Sequence, residues 1–117
     1  MSKKILIIDD DPNILDYLSA LFTDNGYDVQ VAPDAVKGLE AARRFLPDLI
    51  TLDIEMPGDW GPRFYRQMMQ VKELKNTPVI VISGLSGNEH AIPKAIAAVK
   101  KPFDREELLR IVKEAIG

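Results

Sequence analysis

Three short stretches, Ile5 to Ile8, Leu49 to Leu52 and Val79 to Ile82, are mostly β-branched and almost unbroken by polar positions. Side chains alternate across a strand, so a stretch apolar at nearly every position predicts a strand covered on both faces, as in a parallel sheet. Tyr27 to Ala32 alternates instead, with Asp28 and Gln30 on one side, and predicts a strand near a sheet edge. Ala97 to Lys100 is read as a short fifth strand that ends at Lys101-Pro102.

Between the strands the apolar period becomes helical. Ile14, Leu18, Leu21 and Phe22 fall on one stripe, and Leu39, Ala42 and Leu46 on another. Asp11-Pro12 has the form of an N-cap followed by proline at the first helical position, and Asn25-Gly26 that of a helix end. Pro47-Asp48 stops the second helix. A third helix is predicted from Pro62 to Lys72, with Phe64, Met68 and Val71 inward. The last helix starts at a capping-box-like pair, Asp104 and Glu107, and carries Leu108, Leu109, Val112 and Ile116 on its apolar face. Strands alternating with helices predict a doubly wound α/β sheet with right-handed crossovers.

Composition narrows the function. At 117 residues the chain fits one domain, residues 1–117. Its net charge of −3 gives no positive field for a nucleic-acid backbone, so direct nucleic-acid binding is not expected. The absence of cysteine removes disulfides and thiolate metal sites and fits a reducing compartment, the cytoplasm. The apolar stretch after Lys3-Lys4 is too short for a signal peptide or a membrane span.

In doubly wound sheets, ligands bind beyond the carboxyl ends of the strands. Those ends carry Asp9-Asp10-Asp11, Asp53, Ser83-Gly84 and Lys101-Pro102. Clustered carboxylates repel one another, and a hard divalent cation such as Mg²⁺ relieves the repulsion. A carboxylate is also a nucleophile able to form an aspartyl phosphate, while a lysine and a serine hydroxyl suit phosphoryl oxygens. Asp11 reads as a cap, and Arg43-Arg44 as cations at a helix C-terminus. His90, the one histidine, is assigned no role, and Trp60 either packs at the entry of the third helix or anchors a partner.

Taken together, Ile5 to Asp11, Asp53-Ile54-Glu55-Met56-Pro57-Gly58, Ser83-Gly84 and Lys101-Pro102-Phe103 resemble the response-regulator receivers of two-component signalling, across essentially the whole chain. The resemblance implies a flavodoxin-like five-stranded parallel sheet in the order 2-1-3-4-5. It implies that Asp53 accepts a phosphoryl group, with Pro57 and Gly61 at the family spacing after it. It also implies Mg²⁺ on Asp10, Asp53 and the carbonyl of Glu55, with Asp9 assisting through water, and phosphoryl contacts from Ser83 and Lys101. The phosphodonor implied is a sensor histidine kinase or a histidine phosphotransfer protein, and the output is a partner that the sequence does not identify. Such a chain is a signalling switch and not a turnover enzyme. Lys101-Pro102 is expected to be cis.

Two features depart from the family pattern. Ser83 and Lys101 lie 18 positions apart with Pro93 between them, which predicts a short or irregular fourth helix in that crossover. Ala98 stands where many members carry a switch aromatic, so residues 84–98 are expected to respond to phosphorylation without an aromatic rotamer change. The rival readings are an interaction module of the same fold that has lost the switch, an aspartate-nucleophile phosphatase, and a flavodoxin-like flavin protein. The complete acid, serine and lysine set opposes the first. The phosphatase would need a second aspartate in the Asp53-Ile54-Glu55 motif, and the flavin protein a Ser/Thr-rich loop after the first strand.

Overall fold

The structure is a computed structural model that describes residues 2–54, 60–84 and 95–117. Five parallel strands, β1 (Lys4–Ile8), β2 (Asp28–Ala32), β3 (Leu49–Asp53), β4 (Val79–Ser83) and β5 (Ala97–Lys100), form one sheet in the order β2-β1-β3-β4-β5. The described helices are α1 (Pro12–Asp24), α2 (Ala35–Phe45), α3 (Trp60–Met69) and α4 (Arg105–Ile116).

Alternation in the central strands builds two cores. Leu6, Ile8, Ile50, Leu52, Val79 and Val81 face Ala42 of α2 and Phe64 and Met68 of α3. Ile5, Ile7, Leu49, Ile80 and Ile82 face Leu18 and Phe22 of α1 and Leu108 and Val112 of α4. The strands buried at nearly every position are therefore those with helices on both sides, whereas β2, alternating in sequence, lies at an edge.

The helix boundaries follow local chemistry. The Asp11 side chain accepts from the Asn13 amide at 2.9 Å and Pro12 opens α1. At the other end Gly26 takes φ 90°, its amide reaches the Thr23 carbonyl, and the Tyr27 amide reaches that of Phe22. These two bonds define a Schellman motif, and its apolar contact is the edge-on pair of Phe22 and Tyr27 rings, 6.3 Å apart. Asp104 caps α4 by accepting from the Glu106 and Glu107 amides. Only this half of the expected box forms among the described residues; the Glu107 carboxylate lies 3.9 Å from the Arg110 guanidinium.

Two sequence expectations are corrected. The third helix runs from Trp60 to Met69, not from Pro62 to Lys72. Beyond Met69 the chain tightens into turns whose amides reach back three residues, from Val71 to Met68 and from Leu74 to Val71, and these turns seat Leu74 in the core. Leu46 is not on the buried stripe of α2. It is the C-cap in a left-handed conformation, φ 50°, and is 43% exposed, while Ala35, Gly38 and Ala42 form the buried face. The short or irregular helix expected before β5 falls on residues 85–94, outside the described residues, as do Glu55, Pro57 and His90. Ala98 lies on β5 and is exposed.

Candidate functional site

The parallel register brings the carboxyl ends of β1, β3, β4 and β5 to one rim. Ile8 lies beside Leu52, Asp53 beside Ile82, and Ser83 beside Lys100. Asp53 is the last residue of β3 and Ser83 the last of β4; both are buried. Asp9 follows β1, is 2% exposed, and accepts from the Asp11 amide at 2.9 Å, which fixes its carboxylate. Lys101 follows β5, and its amide donates to the Ser83 carbonyl at 2.8 Å. The Lys101–Pro102 peptide is cis, as expected.

The Lys101 ammonium lies 3.3 Å from Asp9 Oδ2 and 3.5 Å from Asp53 Oδ2. Burial by itself lowers the affinity of this ammonium for its proton, but the charges of Asp53 and then Asp9, with hydrogen bonds to both, outweigh it. The group is held above its ordinary 10.5. One carboxylate oxygen each from Asp9, Asp10 and Asp53 lies within 4.8 Å of the others, with Asp10 exposed to solvent. Three carboxylates facing one ammonium leave an excess of negative charge, and all the donors are hard oxygens. The residues present therefore fit a divalent cation of the Mg²⁺ type.

A family model described as the response regulator receiver domain matches residues 5–113. The chain belongs to this family. Protein Rrf1 of Nitratidesulfovibrio vulgaris Hildenborough is 40% identical over 120 residues, an alignment covering 100% of this chain and 85% of Rrf1. The DNA-binding dual master transcriptional regulator RpaA of Synechocystis is 37% identical over 114 residues. That alignment covers 94% of this chain and 47% of RpaA, so the chain spans about half of that relative. A solved receiver domain of a sensor histidine kinase from Pseudomonas aeruginosa PAO1, with a magnesium ion coordinated in its active-site cleft, matches with a TM-score of 0.89 at 26% identity. The match covers 100% of this chain and 99% of that one.

Of the residues singled out in the sequence, the fold of this receiver brings Asp9, Asp10, Asp53, Ser83 and Lys101 to one rim. The sequence reading missed that Lys101 bridges Asp9 and Asp53 directly; the contact to Asp9 joins positions 92 residues apart, which no local pattern signals. It also passed over Thr51, whose hydroxyl is buried without a hydrogen-bond partner among the described residues; the signal was there, a lone polar residue inside an apolar strand.

Proposed function

We propose that this receiver is a phospho-accepting switch in which Asp53 takes a phosphoryl group from a phosphohistidine. The observation that carries the reading is the Asp53 carboxylate, 3% exposed at the end of β3, held by Lys101 and clustered with Asp9 and Asp10. In the transfer an Asp53 oxygen attacks phosphorus. The new P–O bond forms as the P–N bond breaks, and the electron pair returns to the imidazole nitrogen, which takes a proton from solvent. Lys101 turns its charge from the two carboxylates to a phosphoryl oxygen, and the Ser83 hydroxyl donates to another. Asp9, fixed by the Asp11 amide, keeps Lys101 aimed at Asp53 before the phosphoryl group arrives.

Mg²⁺ held by Asp10, Asp53 and the carbonyl of Glu55, with Asp9 supporting it through water, would supply positive charge against the carboxylates and the phosphoryl oxygens. The donor is a sensor histidine kinase or a histidine phosphotransfer protein in the cytoplasm, and the phosphorylated rim changes the affinity for an output partner. No described helix is long and apolar enough to cross a membrane. Mass spectrometry after incubation with a small phosphodonor and Mg²⁺ tests the reading. Wild type gains one phosphoryl group and Asp53→Asn gains none; labelling of the variant at the wild-type rate would overturn the assignment.

A further inference from the structure

A second charged feature lies away from the phosphoacceptor rim. Along the outer flank of α2, against the edge strand β2, runs a cleft of about 480 Å³ lined by Lys4, Gln30, Lys37, Glu40, Arg44 and Phe45, among others. The size suits a small-molecule site. Three cations and one carboxylate give the cleft a net charge of +2, in a chain whose total is −3.

Among the described residues none of the three cations is in an ion pair. Glu40 stands three residues after Lys37 and four before Arg44, spacings at which helix side chains meet, yet no ion pair joins it to either among the described residues. Lys4 is placed by packing: its ammonium lies 5.5 Å from the centre of the Phe45 ring, and its amide donates to Asp48 at 2.8 Å. Phe45 is the last residue of α2, so Lys4 and Arg44 form one positive end of the cleft. Lys37, seven residues and about 10 Å back along the axis, forms the other.

We propose that this cleft binds an organic bisphosphate of nucleotide size, one phosphoryl group at Lys4 and Arg44 and the other at Lys37. The backbone positions of Lys37 and Arg44 stand about 10 Å apart along the helix axis, so a ligand with a phosphoryl group at each end meets both cations without either side chain folding along the cleft. Arg44 offers a fork suited to paired phosphoryl oxygens, and the Gln30 amide between the ends both donates and accepts. Glu40 inside the cleft and the negative total charge oppose a continuous polyanion such as a nucleic acid or an anionic membrane.

The test is titration by calorimetry and amide NMR, without Mg²⁺, using adenosine 3′,5′-bisphosphate, AMP and inorganic phosphate. The bisphosphate should saturate with a Kd of about 1 mM or tighter, shifting the amides of Gln30, Lys37 and Arg44. AMP should bind about tenfold more weakly, and Lys37→Gln and Arg44→Gln should each weaken the bisphosphate by about tenfold, since each change removes one charge-assisted contact. Both positions are exposed, so unchanged amide shifts elsewhere will show that the variants fold. Failure to saturate, equal affinity in the double variant, or inorganic phosphate binding as tightly as the bisphosphate would overturn the proposal. So would capture by phosphatidylserine vesicles through these residues while the bisphosphate does not bind.

Discussion

Thr51→Val should stabilise the protein. Thr51 sits in the centre of β3, 1% exposed, in register with Ile7 of β1 and Ile80 of β4, and its hydroxyl oxygen has no hydrogen-bond partner among the described residues. A hydroxyl taken out of water without a replacement bond costs about 1–3 kcal/mol. Valine has the same branched shape and favours the same strand geometry, so the change opens no cavity and forces no new rotamer. Offsetting small packing adjustments leave a gain of about 1–2 kcal/mol. Unfolding entropy near the midpoint is about 2.1 cal/mol/K per residue, or about 0.25 kcal/mol/K for 117 residues, so each kcal/mol moves Tm by about 4 °C. Thermal melts followed by circular dichroism should therefore show Tm rising by about 4–8 °C, with the urea midpoint rising at constant slope. An unchanged or lower Tm would refute the reasoning, because it would mean that the hydroxyl is satisfied and that valine removes a bond.

Mg²⁺ should raise the wild-type Tm as its concentration passes the Kd, and Asp10→Ala should need at least about tenfold more metal for the same rise, read from melts across a Mg²⁺ series. Lys101 carries a pH signature: its pKa is raised on folding, so its contribution is complete below 10.5 and is lost as pH rises through the higher folded value. Urea midpoints of wild type and Lys101→Met should accordingly differ most at neutral pH and converge above pH 10.5. Gly61→Ala should destabilise by about 1–2 kcal/mol in urea unfolding. The added carbon would lie 2.9 Å from Ile54 Cγ2 and 3.2 Å from Ile54 Cα, and this overpacking outweighs the better helix propensity of alanine.

Much of the architecture was legible because it rests on local rules. The three apolar strands, the cap at Asp11, the end at Asn25-Gly26 and the alternating edge strand are each encoded within a few residues, and the structure reproduces them. The third helix was misjudged at both ends. Val71 continues the apolar period past Met69, but the backbone changes to three-residue turns there to bury Leu74, a choice that depends on the core beneath and not on helical period. Leu46 was misread for the same reason. Its spacing fits the α2 stripe, yet the helix ends on it in a left-handed turn that leads the chain back to β3, and the side chain is left outside.

The residues of the site were legible as chemical types at strand ends, and the resemblance to receivers placed Asp53, Asp9, Asp10, Ser83 and Lys101 in one group. Their arrangement was not. That Lys101 spans Asp9 and Asp53, and that Lys4 comes over Phe45 beside Arg44, are contacts between segments far apart in the chain. Period and capping act over a few neighbouring residues and are written in the order of the chain. Ion pairing and cleft shape depend on distances that exist only once the parallel register has brought remote segments together.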